Sequence, residues 1–261
     1  MKYLTGIIQF VSLLFILILF QENVFADPLA LHIYAGAGLR PVLDKLASRF
    51  EMEEGVNIHI DYGGSGQILS RFQASHRGDL FIPGSKVHFS TLMEAHELLS
   101  VQDIVMHTPV VAIFPDKNEQ IQVFSDLAKP GIRVGVGDPK SMALGRTAED
   151  ILKHTQVEAA IRKNIVVQAA TVKQLAMYVL RGDVDAAIIG RSDVIQNPDK
   201  LMMISIPSSW YQPEVIAVGV LNTTEQPYLA KRFAALLVSK EGVDTFVGLG
   251  FLPCDKTPQL D

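Results

Sequence analysis

Four short segments of the 261-residue chain place glycine or other small residues directly before or at the start of a predicted helix. The N–H groups of a helix's first turn have no partner inside the helix, and the aligned peptide dipoles favour negative charge there. Ser65 and Thr171 add hydroxyl donors. Together the segments could bind one small anion without a positively charged side chain, whereas each one alone also fits an ordinary βα turn. The segments are Ala37-Gly38, Gly64-Ser65-Gly66, Ala143-Leu144-Gly145 and Thr171-Val172.

Motifs of common enzymes are incomplete in the same segments. Gly36-Ala37-Gly38 opens like a dinucleotide fingerprint, but Pro41 stands where its third glycine belongs. Gly63 and Ser65 begin a nucleophile-elbow pattern, but Gln67 takes the place of its last glycine. The seven histidines include no HExxH pair. The sequence therefore predicts a protein that is not an enzyme. A secreted hydrolase that uses Ser65 is the alternative, and it needs a histidine within hydrogen-bond reach.

The composition limits the partners of the chain. Hydrophobic residues make up 48% of it and the formal net charge is -5, which indicates a globular protein. No run of Lys and Arg could neutralise nucleic-acid phosphates, so nucleic acid is not expected as a partner. Cys254 is the single cysteine, which excludes an internal disulfide and a thiolate zinc cluster. We expect no cofactor and no bare metal cation.

Residues 1–26 have the pattern of a secretory signal peptide. Lys2 gives a positive start, residues 6–20 form an apolar run, and Val24-Phe25-Ala26 resembles a cleavage site. The run is shorter than the roughly 20 residues that span a bilayer, and an uncleaved anchor is the alternative. We therefore expect a mature chain that starts at Asp27 and works outside the cytoplasm.

The mature chain alternates short β-type runs with helical runs, and turn residues mark the joints. The predicted helix 39–54 repeats apolar residues from Val42 to Phe50 at three- and four-residue spacing, and Gly55 ends it. A β-loop-α repeat predicts parallel sheets in an α/β fold. The predicted strands are 29–34, 58–62, 80–82, 132–136, 165–167, 186–189 and 215–221, and the predicted helices are 39–54, a run from Gln67, 145–154, 171–180, 226–239 and 241–249.

The sequence of a second lobe is predicted to be inserted between two segments of the first. A fresh apolar run starts after Thr108-Pro109, and the chain turns back near 210–213. Lobe I therefore comprises 27–107 plus 216–261, and lobe II comprises 108–215. Each lobe is expected to be a mainly parallel sheet flanked by helices, and the two crossings of the chain are expected to form a two-strand hinge.

Five motifs follow one another along nearly the whole mature chain. They read YAGAGL at 34–39, YGGSG at 62–66, GDLFI at 78–82, VGDP at 136–139 and GFL at 250–252. In this order they resemble the periplasmic molybdate-binding proteins of ABC transporters, and VGDP followed by a small-residue loop is the most specific of them. The resemblance implies a two-lobed, monomeric periplasmic binding protein. It would capture molybdate or tungstate and deliver it to an inner-membrane ABC permease.

The same resemblance implies which residues hold the anion. Ser65 matches a hydroxyl donor, and Leu144 and Val172 match backbone N–H donors. The predicted oxyanion-binding residues are Ala37, Gly38, Ser65, Gly66, Leu144, Gly145, Thr171, Val172 and Arg191.

Two positions depart from the family pattern. Gly38 and Gly190 stand where the family often has a hydroxyl and a tyrosine. Arg191 or Arg146 could compensate with a guanidinium, or both could simply be exposed. Phosphate, sulfate and a sensory role with the same site stay open as alternatives. Ferric ion is disfavoured, because Trp210-Tyr211 offers one tyrosine where adjacent ones are wanted.

Overall fold

The computed structural model describes residues 29–254, so the expected signal peptide 1–26 lies outside the described residues. The strands are β1 Ala30–Gly36, β2 Asn57–Gly63, β3 Leu80–Ile82, β4 Leu98–His107, β5 Pro109–Ile113, β6 Val134–Gly137, β7 Ile165–Ala169, β8 Ala186–Gly190, β9 Met202–Ile204, β10 Glu214–Leu221 and β11 Leu252–Pro253. The α-helices are α1 Arg40–Glu54, α2 Ser65–Ser75, α3 Phe89–Glu94, α4 Ala143–His154, α5 Glu158–Asn164, α6 Val172–Leu180, α7 Arg191–Ile195, α8 Pro227–Val238 and α9 Lys240–Val247.

The strands form two mixed sheets, which confirms the two-lobed α/β fold. The first sheet has the order β11-β4-β10-β3-β1-β2, and the second has the order β7-β6-β8-β5-β9. Pairing is parallel among β1, β2 and β3 and among β6, β7 and β8, as the β-loop-α repeat predicts. The pairs that involve β4, β5, β9, β10 or β11 are antiparallel, so each sheet is parallel only in one half.

Helices cover both faces of each sheet. The apolar stripe of α1, from Val42 to Phe50, is buried against the first sheet together with α8 and α9, as its spacing predicts. The opposite face packs against α2 and α3 through Phe72 and Phe89. In the second sheet, α4 and α5 cover one face and α6 and α7 the other. The loops after β1, β2, β6 and β7 therefore each connect a strand to a helix that packs on the same sheet.

The chain passes between the two sheets twice. It leaves the first sheet at the end of β4, enters the second at Pro109, and returns between β9 and β10. The domain bounds 27–107 plus 216–261 and 108–215 remain our proposal for where each lobe starts and ends. We call the two sheets with their helices the first lobe and the second lobe.

The two lobes contact each other across a cleft. The Gly66 N–H donates to the Ser141 carbonyl at 3.3 Å. Thr147 Oγ1 donates to Glu214 Oε1 at 2.7 Å, which joins α4 to β10. The structure is therefore a form in which the cleft is largely shut. Among residues 29–254, no helix has the length and apolar character that crossing a membrane requires.

Candidate functional site

A small cavity of about 40 Å³ lies where the loops of the two lobes meet. One water needs about 10–15 Å³ on the same scale, so the cavity has room for a small ion. The first lobe contributes loops 36–39 and 63–65, and the second lobe contributes loops 142–144 and 171–172. The residues that line it are Gly36, Ala37, Gly38, Leu39, Gly63, Gly64, Ser65, Gly84, His107, Met142, Ala143, Leu144, Thr171 and Val172.

The predicted site residues fall into two groups. The structure brings together six of the nine at the cavity wall, and it leaves three outside the wall. The six are Ala37, Gly38, Ser65, Leu144, Thr171 and Val172, and the other three are Gly66, Gly145 and Arg191. The four loops therefore converge as the sequence predicts, from both lobes.

Each loop presents the start of a helix to the cavity. A 3-10 turn at Ala37–Leu39 leads into α1, and α2, α4 and α6 begin at Ser65, Ala143 and Val172. Acidic side chains commonly stabilise the first turn of a helix, yet none occurs in the first turn of any of these four. The positive ends of the helix dipoles are therefore left for an external anion.

Two hydroxyls are polarised toward donation. Ser65 Oγ accepts a hydrogen bond from the Gly84 N–H at 3.0 Å, and Thr171 Oγ1 accepts one from the Gln174 N–H at 3.2 Å. Because backbone N–H groups occupy a lone pair of each oxygen, each O–H remains free to donate. No Asp or Glu is among the residues that line the cavity. Its side-chain chemistry suits a ligand that only accepts hydrogen bonds.

Glycine at position 64 lets the lobes approach. A Cβ there would lie 2.5 Å from both the Ser141 and the Ala170 carbonyl oxygens of the second lobe. The backbone at Gly64 has φ -65°, which any residue can adopt, so the requirement is purely steric. Gly38 has a similar constraint, since its Cβ would lie 2.8 Å from Val172 Cγ1.

Gly66 and Gly145 have packing roles instead of places at the wall. The Gly66 N–H is already used by the Ser141 carbonyl at 3.3 Å. A Cβ on Gly145 would lie 2.6 Å from the carbonyl of Asp138, so this glycine lets α4 pack against the VGDP turn. Both residues fix the loops that carry the donors.

Arg191 and Arg146 lie away from the cavity wall, and Arg191 begins helix α7. Gly190 is the extended N-cap of α7, and the Arg191 N–H donates to the Thr108 carbonyl at 2.9 Å. Arg191 lies near Tyr211, where burial raises the phenol pKa and the guanidinium partly offsets that rise. Arg146 Nη1 is 3.2 Å from His88 Nε2 of the first lobe. Neither guanidinium is placed to replace the missing hydroxyls.

The carboxylate of Asp138 is engaged within its own turn. Its Oδ2 accepts from Ser141 Oγ at 2.7 Å and its Oδ1 accepts from the Lys140 N–H at 3.0 Å. These hydrogen bonds lower the pKa of Asp138. Within residues 29–254, no group of three His, Cys, Asp or Glu side chains could hold a metal ion.

His107 is an ionisable cavity residue that the sequence did not predict. It ends β4, is 4% exposed, and lines the cavity. Burial and the charge of Lys173 lower the pKa of its imidazole to about 4, so the ring is neutral at pH 7. Its Nε2 lies 3.3 Å from Ser192 Oγ, so the histidine at this wall is bonded to Ser192, and Ser65 is bonded to Gly84. The hydrogen bond between Ser65 and a histidine that this hydrolase would need is therefore not formed among residues 29–254.

Comparisons with known proteins give related binding proteins. A family model of bacterial extracellular solute-binding proteins matches residues 31–252. A Haemophilus influenzae protein, provisionally named as a binding protein without a stated ligand, is 40% identical over 223 residues, which are 85% of this chain and 91% of that protein. The molybdate-binding protein ModA of Mycobacterium bovis is 24% identical over 212 residues, which are 80% of this chain and 79% of that protein.

Solved structures share the two-lobed fold. The periplasmic molybdate-binding protein of Azotobacter vinelandii has a TM-score of 0.76 and 19% identity, covering 88% of this chain and 100% of that one. The sulfate-binding protein SubI of Mycobacterium tuberculosis H37Rv has a TM-score of 0.73 and 17% identity, covering 87% of this chain and 88% of that one. Because these two proteins are named for different ligands, the likeness establishes the fold and not the ligand.

Proposed function

Because the chain belongs to the bacterial extracellular solute-binding protein family, we propose that it captures a small tetrahedral oxyanion, molybdate or tungstate, between its two lobes. It would work as a monomer in the periplasm and deliver the anion to an ABC permease of the inner membrane. In this role the protein performs no chemistry on its ligand and needs no cofactor.

The donor-only wall of the cavity carries this proposal. Four helix starts without an acidic residue in their first turns face one small space. The O–H groups of Ser65 and Thr171 are free to donate into it. Hydrogen bonds to a charged group are about twice as strong as neutral ones, so a neutral site of this kind can hold a dianion.

The size and chemistry of the cavity restrict the ligand further. About 40 Å³ suits one inorganic ion and leaves no room for a sugar attached to it. Ferric ion needs hard anionic ligands, and the lining residues include no tyrosine and no carboxylate. Phosphate carries a proton near pH 7, and the lining residues include no carboxylate that could accept it. A relative named for molybdate supports the choice among the remaining dianions.

Sulfate is the second candidate, since a protein of the same fold is named for it. Sulfate and molybdate carry the same charge and differ in size. Calorimetric titration of the mature chain from Asp27 with molybdate, tungstate, sulfate and phosphate separates these possibilities. We expect molybdate and tungstate to bind most tightly and phosphate least. Phosphate binding at pH 7 as tight as that of molybdate, or no binding of any of the four, would overturn the proposal.

A further inference from the structure

His107 is the one ionisable side chain among the residues that line the cavity. It stands at the point where the chain leaves the first lobe, at the end of β4. Its ring packs against Phe251, with the ring centroids 5.0 Å apart and the planes tilted by 44°. The imidazole is therefore a fixed part of the wall.

The second lobe leaves room for the ring because residue 190 is a glycine. A Cβ on Gly190 would overlap Nε2 of His107. Gly190 has φ -75° and ψ 142°, an extended conformation that most residues adopt, so the backbone does not require glycine here. The absence of a side chain at position 190 is instead explained by the presence of the imidazole.

The two ring nitrogens have different surroundings. Nε2 has Ser192 Oγ as its partner at 3.3 Å. Nδ1 has no hydrogen-bond partner among residues 29–254. The fully enclosed side-chain atoms in this range that lack a partner are Arg146 Nη2, Arg191 Nε, Asp193 Oδ2 and Gln196 Nε2. Nδ1 is not one of them, so it is not fully enclosed. An unpartnered polar atom on a side chain that lines the cavity is available to whatever occupies it.

We infer that His107 contacts the bound ligand directly, with Nδ1–H donating a hydrogen bond to an oxygen of the oxyanion. This contact requires the Ser192 hydroxyl to donate to Nε2, which places the hydrogen of the neutral ring on Nδ1. His107 then supplies a side-chain donor at a wall where the other side-chain donors are the hydroxyls of Ser65 and Thr171. This inference rests on the proposed function.

Three substitutions at one position test the contact. In His107→Leu the ring is replaced by an apolar side chain, in His107→Asn an amide N–H lies near the position of Nδ1, and in His107→Gln the amide lies near Nε2. His154→Leu makes the same chemical change at an exposed site on α4 and is the matched control. Each variant is titrated with molybdate, tungstate, sulfate and phosphate after its melting temperature has been compared with that of the wild type.

We expect His107→Leu to weaken molybdate binding by about ten- to a hundredfold, because a hydrogen bond to a charged ligand is lost. His107→Asn should keep more affinity than His107→Gln or His107→Leu, and the control should bind like the wild type. A folded His107→Leu variant with the wild-type dissociation constant, or an asparagine variant no better than the leucine one, would overturn the contact. Wild-type protein that binds none of the four anions would instead refute the proposed function, and the contact with it.

Nuclear magnetic resonance of the wild type provides a readout that does not depend on a variant folding. The ring ¹⁵N signals of His107, assigned by comparison with the variants or by sequential assignment, should shift when molybdate saturates the protein. The two ¹⁵N chemical shifts should be those of a neutral ring whose hydrogen is on Nδ1. Ring signals that stay unchanged at saturation would overturn the inference.

Discussion

The two walls of the cavity present similar backbone groups in different surroundings. The wall of the first lobe has glycine at 36, 38, 63, 64 and 84, and its larger side chains are Leu39 and the imidazole of His107 beside the hydroxyl of Ser65. The wall of the second lobe surrounds its helix starts with larger apolar side chains, Met142, Leu144 and Val172, beside the hydroxyl of Thr171. Both walls can donate to an anion, but only the first contains glycines, whose backbone has no side chain beside it.

The difference indicates that the two walls have different roles in binding. The glycines of the first wall allow close approach, since carbonyl oxygens of the second lobe fill the space that a Cβ at Gly64 would need. The buried side chains of the second wall exclude water, and a hydrogen bond is stronger where water is absent. A ligand held by both walls binds the shut form better than an open one and must shift the population toward it.

The largest expected effect comes from filling the first wall. In Gly64→Ala the new methyl group meets the Ser141 and Ala170 carbonyls, so the cleft cannot shut. We expect molybdate binding to weaken by about a hundredfold or more, because overpacking of this kind costs about 1–3 kcal/mol and the ligand loses its second wall. Calorimetry measures the affinity. Gly248→Ala is the control, because the nearest atom to its Cβ lies at 3.4 Å, and equal affinity of both variants would disprove the steric role of Gly64.

A second prediction concerns stability where the two lobes join. The pKa of His107 is about 4 in the folded protein and about 6.5 in the unfolded chain. Between these values the unfolded chain binds a proton that the folded protein does not, so folding stability falls as the pH drops from 6.5 to 4. The loss can reach about 3 kcal/mol at roughly 1.4 kcal/mol per pKa unit.

Urea unfolding of the wild type and of His107→Leu at several pH values measures this loss. Other groups titrate in both proteins, including Asp193 and His88, so the difference between the two curves isolates His107. The variant should lose less stability than the wild type over this range. Parallel curves would show that the imidazole is not kept neutral by burial.

The third prediction concerns Ser65, the hydroxyl of the first wall that the sequence predicts as a ligand. We expect Ser65→Ala to weaken oxyanion binding by about ten- to a hundredfold, because a charge-assisted hydrogen bond is lost. The variant should also lose about 1–3 kcal/mol of stability, since the Gly84 N–H loses its acceptor. Ser70→Ala, an exposed serine on the same helix, is the control. A folded Ser65→Ala variant with unchanged affinity would remove Ser65 from the site.

Some elements could be predicted from the sequence and others could not. The stripe of α1 and the four helix starts were predictable, because period and turn chemistry are local properties. Strand β4 was not, since its residues show no regular alternation and its pairing with β10 is interrupted by two register shifts. His107 ends this strand, so it was missed together with it. Its place directly before Thr108-Pro109 was the one available signal.

Arg191 is the opposite case, a predicted site residue that the structure places outside the cavity wall. A guanidinium beside a lost hydroxyl was a sound chemical hypothesis, but sequence gives no direction for a side chain at a helix start. In the fold, the ring of His107 fills the space beside Gly190, and the backbone of Arg191 is tied to Thr108. Which residue takes over a lost contact depends on tertiary neighbours that are distant in sequence.

The smallest expected effect lies in the second wall. Thr171→Val keeps the shape of the side chain but removes the O–H donor and the N-cap acceptor of α6. Thr171 is only partly buried, and the backbone N–H groups of the same helix start remain, so we expect binding to weaken by about three- to tenfold. Stability should fall by about 1 kcal/mol from the lost cap. Thr171→Ser keeps both functions of the hydroxyl and should bind like the wild type. If the valine variant loses as much affinity as Ser65→Ala, the two walls hold the anion through side-chain hydroxyls alike. The contrast between a glycine-rich first wall and a shielded second wall would then have no bearing on affinity.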